Sequence, residues 1–176
     1  MTTAVQNRPT STVAGIRWHR PLLVLAAAMG VLVAVCLIGL VVDPRESLGV
    51  NVWEKPLKFA ISTAVYAVTW SWLIGQLQRF QRVAWWAGTI SAILLLIELV
   101  IITGAAAGVT SHFNVSTPFN TVLWSIMAAS IGTLWVATFV VSIILFRNPL
   151  GDRARTLAIR AGALIALVGM ALAFLM

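Results

Sequence analysis

Five apolar runs, 22–42, 57–77, 84–108, 119–146 and 156–176, fix what this chain can become. The hydrocarbon core of a bilayer is about 30 Å thick, and a helix needs about 20 predominantly apolar residues to cross it. Each run reaches that length. Charged residues make up 10% of the chain and hydrophobic ones 60%, whereas a soluble domain carries about 25% charged residues. A soluble fold could not cover so much apolar surface. The ten-residue alternation of a membrane β-barrel is absent. The sequence therefore predicts an all-α fold, a polytopic transmembrane helix bundle of five spans. Residues 1–21 form a polar tail and residues 22–176 a single bundle, with no separate soluble domain.

The formal net charge is +7 and the pI about 11.4. In a soluble protein such a balance would point to nucleic acid. Here the charges sort by loop instead. Arg8, Arg17 and Arg20 precede the first run, Arg79 and Arg82 separate the second from the third, and Arg147, Arg153, Arg155 and Arg160 cluster at the start of the fifth. Only Arg45, Lys55 and Lys58 fall on the other side, so 9 of the 12 basic residues share one face. The positive-inside rule makes that face cytoplasmic. The N-terminus is then inside, and loops 43–56 and 109–118 are outside. Membrane lipids, anionic headgroups among them, are the expected neighbours. Nucleic acid is not, because no folded basic module exists to carry it. The first run is too long for a signal-peptide core and no cleavage site follows it, so it reads as a retained span of a plasma (inner) membrane protein. Cys36 stands alone and can form neither an intrachain disulfide nor a cysteine metal cluster.

Helices in lipid associate through small residues and polar contacts rather than through hydrophobicity. Ala26, Gly30 and Ala34 stand four apart in the first span, Ala158, Gly162 and Ala166 in the fifth, and Gly104 and Gly108 form a GxxxG in the third. These stripes are the expected faces of tight packing, within the chain or in a homo- or hetero-oligomer. Trp18, Trp53, Trp70, Trp72, Trp85 and Trp86 lie toward span ends, as interfacial indoles do. Thr117 and Pro118 form a helix start, with a capping side chain before a first-turn proline.

The polar residues within the spans carry the functional question. Glu98 lies near the middle of the third run, where an ionisable group costs roughly 2.5–3.5 kcal/mol on insertion scales. Such a group is expected to face the bundle interior and find a partner. Lys58, Ser62, Tyr66 and Thr69 are spaced by four, four and three, one stripe on the second helix. Tyr66 passes the depth of Glu98 and is the expected hydrogen-bond partner. At the outer end, Lys55 and Lys58 open the second span, and His112 and Asn114 follow the third. Together these four residues are the candidate lining of an outward-facing polar pocket between spans two and three. No metal or haem site is expected, since His19 lies on the opposite face from His112 and offers no second imidazole. No cofactor is implied.

The stretches WEKPLKF at 53–59 and TSHFN at 110–114, followed by TPFN, together with Glu98, resemble a family of uncharacterised bacterial multi-pass membrane proteins. The likeness covers roughly residues 40–125. It implies a localisation and an architecture but no reaction, because the family has no established activity. Its members continue beyond five spans. This chain ends at ALAFLM without a Trp, Lys or Arg anchor, so the resemblance implies a truncated chain that lacks later helices.

Familiar catalytic patterns are missing: no phosphate-cradling loop before Lys-Ser/Thr, no HExxH, no nucleophile elbow, no close pair of carboxylates. No catalytic residues are assigned, and an intramembrane enzyme stands third, behind the two expectations below. No interrupted helix or inverted repeat signals a transporter. The leading expectation is an integral plasma-membrane protein that binds a small ligand or lipid headgroup at its outer face, with Glu98 beneath the pocket. The alternative is a structural or assembly subunit of a larger membrane complex.

Overall fold

A computed structural model describes residues 17–47, 49–108 and 115–172. Five helices follow in chain order: α1 (Arg20–Val42), α2 (Glu54–Gly75), α3 (Gln81–Ala107), α4 (Pro118–Phe146) and α5 (Arg153–Leu172). Each is long and apolar enough to cross a membrane. The fold is the all-helical, multi-pass bundle that the apolar runs require. Two short strands, β1 (Glu46–Ser47) and β2 (Val50–Asn51), pair antiparallel between α1 and α2. Gly49 turns between them at φ +77°, a left-handed conformation that favours glycine.

Helix starts follow local chemistry. The side chain of Thr117 accepts from the Asn120 N–H at 3.2 Å, and Pro118 opens α4. His19 does the same for α1, its Nδ1 accepting from the Leu22 N–H at 3.3 Å before Pro21. The second helix begins earlier than its apolar run. Glu54, Lys55 and Pro56 are its first turn rather than the end of a loop. Glu54 there favours the helix dipole and pairs with Lys58 at 3.1 Å, which offsets the cation. At α3 the residue before the helix is Phe80, held at φ 59°. For a residue with a Cβ that conformation costs roughly 1–2 kcal/mol.

The helices pack in sequence, α1 on α2, α2 on α3, α3 on α4 and α4 on α5, with α1 also touching α3. A core of Leu22, Leu25, Met29, Ile74, Leu99 and Leu145, with smaller neighbours, joins α1 to α4. The fifth helix meets this core only at its edge, through the partly buried Ile159. Among its described residues only Ala163 and Leu167 are buried. The Trp135 indole of α4 ties it in by donating to the Leu167 carbonyl at 3.2 Å.

Ala26 of the first small-residue stripe packs against the core, but the glycines of these stripes are not points of close approach. A Cβ at Gly30, Gly104 or Gly162 would touch nothing within 4 Å among the described residues. Close approach happens at Gly39 and Gly88 instead, each of which admits an aromatic ring. The tryptophan assignment also divides. Trp18, Trp85 and Trp86 are exposed near helix ends, but Trp70 is buried in the core. A residue one turn from a helix end can still face a neighbouring helix, which its place in the sequence does not reveal.

Candidate functional site

Glu98 is 5% exposed, the only carboxylate among the buried described residues. Leu99, Ile102 and Ala106 are buried along the same helix, and Ser91 lies two turns earlier. Neither Glu98 oxygen has a hydrogen-bond partner among the described residues. Nor does the buried Thr103 hydroxyl farther along the same helix. The expected bond to Tyr66 is absent. The Tyr66 hydroxyl instead meets Thr138 Oγ1 of α4 at 2.8 Å. Thr138 in turn donates to the Leu134 carbonyl at 2.8 Å. Depth along the helices alone would match Tyr66 with Glu98. The rotation of α2 decided otherwise, because it aims the phenol at the seam between α3 and α4. The rest of that polar stripe faces outward. Ser62 and Thr69 are exposed, and Ser62 Oγ donates back to the Lys58 and Phe59 carbonyls of its own helix.

Lys55 and Lys58 are exposed on the first two turns of α2. The Lys58 ammonium is held by Glu54 and is otherwise open to its surroundings. His112 and Asn114 lie outside the described residues, so the four proposed pocket residues are placed only in part. Next to this end, Asp43 organises the link between α1 and α2. Its carboxylate accepts from Arg45 Nε at 2.9 Å and from the Trp53 indole N–H at 2.9 Å. Those bonds hold the carboxyl well below the usual carboxylate range. Arg45 also donates to the Ala107 carbonyl at 3.1 Å, placing a cation at the C-terminus of α3. The Trp53 ring lies on Gly39, where a Cβ would come within 2.6 Å of Cε2. An apolar groove of about 390 Å³ runs between α1 and α3, lined by Met29, Leu32, Leu99, Thr103 and Gly104 among others.

Two polar centres at the arginine-rich end were not foreseen from sequence. His19 joins three helices. Its backbone N–H donates to the Ser71 carbonyl at 3.2 Å, and its carbonyl accepts from the Ser71 hydroxyl at 3.0 Å. Its Nε2 lies 2.9 Å from the Trp85 carbonyl and 3.3 Å from Thr89 Oγ1. With Nδ1 accepting at the cap, a neutral ring protonated on Nε2 satisfies both sides. Burial pushes its pKa down, opposed in part by the bond to Trp85. Asn148 forms the second centre. Its Oδ1 accepts from the N–H groups of Gln78 and Arg79 at 3.1 and 2.8 Å, and its Nδ2 donates to the Ile144 and Arg79 carbonyls. Arg155 adds a bond to Gln76 and stacks 5.5 Å from the Trp72 ring centre. The signals were present: His before Arg-Pro is a capping position, and Asn before Pro149 marks a helix end. Neither pattern says which helix will be near.

No group of three or more His, Cys, Asp and Glu side chains among the described residues could hold a metal ion. No family model, curated protein or solved structure matches this chain.

Proposed function

We propose that this is a plasma-membrane protein that binds a small ligand or a lipid headgroup in the half of the bundle nearer the β1–β2 hairpin, with Glu98 as the group that receives it. The charge bias puts that half on the outer side. The observation that carries the reading is the pair of buried Glu98 oxygens with no partner among the described residues. A polar group left so costs free energy that a close-packed helix pair would avoid with an apolar residue. A ligand with N–H or O–H donors would satisfy it. Lys55 and Lys58, exposed at the end of α2, give the approach a positive charge suited to a phosphate or carboxylate on the same ligand.

The test is co-purification. Lipid and small-molecule extracts of wild-type protein and of Glu98→Gln would be compared by mass spectrometry, with thermal unfolding in detergent as the control for folding. The reading expects one species enriched in the wild type and depleted in a folded Glu98→Gln. Identical extracts from two equally stable proteins would end it.

A second reading, an assembly subunit, has its own support. The fifth helix buries only Ala163 and Leu167, while Ala158, Gly162 and Ala166 form an exposed small-residue face. A Gly162→Cys variant in a Cys36→Ser background would form a cross-linked dimer in membranes if that face meets a second copy, and none if it meets lipid.

A further inference from the structure

We infer that the cleft between the start of α3 and the end of α4 is a binding site for an anionic phospholipid, with one acyl chain in the cleft and the phosphate on Arg147 and Arg79. The cleft has a volume of about 180 Å³ and is lined by Phe80, Val83, Val140, Ile143, Ile144 and Arg147. Five of these side chains are apolar and one is a cation. Phe80, Val83, Ile143 and Arg147 are exposed, so the cleft opens laterally to lipid. Its charged residue stands at the arginine-rich end of the bundle, where headgroups lie.

Asn148 assembles the mouth of this cleft. It is buried to 1% exposure and grips the backbone of Gln78 and Arg79 with both ends of its amide. Arg147 is its neighbour in the chain. The backbone of Arg79, 68 residues before Arg147 in sequence, is therefore held beside the end of α4, next to the cleft residue Phe80, and Arg82 lies in the first turn of α3. The next residue, Phe80, is in the left-handed region at φ 59°, a strained conformation in a residue that lines the cleft. Among the described residues no carboxylate lies within ion-pair distance of Arg79, Arg82 or Arg147. Guanidinium groups suit phosphate oxygens because they donate in a fixed planar fork. An apolar slot beneath a cationic rim matches a phospholipid and not a free phosphate, which would leave the slot unused. This site is at the arginine-rich end of the bundle, several turns of α3 away from Glu98, and does not depend on the role proposed there.

The experiment uses the full chain in a neutral detergent with equal amounts of palmitoyl-oleoyl phosphatidylglycerol and phosphatidylcholine. Retained lipid is counted by native mass spectrometry. The wild type is expected to prefer phosphatidylglycerol by about thirtyfold, the effect of two arginines near a lipid surface. Arg79→Gln/Arg147→Gln is expected to lose that preference, and Arg153→Gln, a basic residue outside the cleft, to keep it. Val83→Trp fills the slot without touching the rim and is expected to release the bound lipid, so it carries the test if the double variant does not fold. No preference in the wild type, or equal loss in Arg153→Gln, would overturn the assignment.

Discussion

The imidazole of His19 rests against the backbone of Gly88. A Cβ at Gly88 would stand 3.1 Å from His19 Cε1, 3.2 Å from Nε2 and 2.6 Å from Ile74 Cδ1. The isoleucine tip can move, but the imidazole is held at both nitrogens and cannot. Gly88→Ala is therefore expected to destabilise the bundle by about 1–3 kcal/mol, the usual range for overpacking. Gly39→Ala should behave alike, since its Cβ would meet a Trp53 ring fixed by Asp43. Gly30→Ala, in open space, should be neutral or stabilising by up to about 1 kcal/mol, because alanine favours helix. Thermal unfolding of the three variants in detergent ranks them. A Gly30→Ala variant as damaged as Gly88→Ala would contradict the packing described.

His19 also predicts a pH dependence. Its ordinary pKa is 6.5, and burial lowers it in the folded protein. Below 6.5 the unfolded chain takes up the proton while the folded chain does not, so stability is full above that value and is lost as pH falls toward the folded pKa. The wild-type unfolding temperature should drop between about pH 7 and pH 5. His19→Gln should flatten that part of the curve, and the difference between the two proteins isolates the imidazole. Parallel curves would mean that His19 does not titrate with unfolding.

Asn148→Ala removes the acceptor from the N–H groups of Gln78 and Arg79. Each donor left without a partner costs about 1–3 kcal/mol if it stays buried. The α2–α3 loop should detach from α4. Trypsin cleavage after Arg79 should speed up in the variant before global unfolding, and an unchanged cleavage rate would show that the loop is held by other contacts.

The spans were legible because crossing a bilayer is a requirement on each segment alone: about twenty apolar residues, read without knowing any neighbour. Helix starts at Thr117 and Pro118 were legible for the same reason, since a cap bonds within its own turn. The burial of Glu98 followed from the cost of exposing an acid to lipid. Its lack of a partner did not, nor did the meeting of Tyr66 with Thr138.

The sequence by itself determined the class of fold, the number of helices and the need to hide Glu98. Only the tertiary structure decided which faces meet. It put Trp53 on Gly39 and His19 on Gly88, left Gly30, Gly104 and Gly162 open, and used Asn148 to hold the backbone of Arg79 beside the end of α4. The physical reason is the solvent. Lipid is as apolar as the bundle interior, so the pattern of apolar residues carries little record of which side of a helix is inside. Rotation and pairing are then set by shape and by a few hydrogen bonds between residues far apart in the chain.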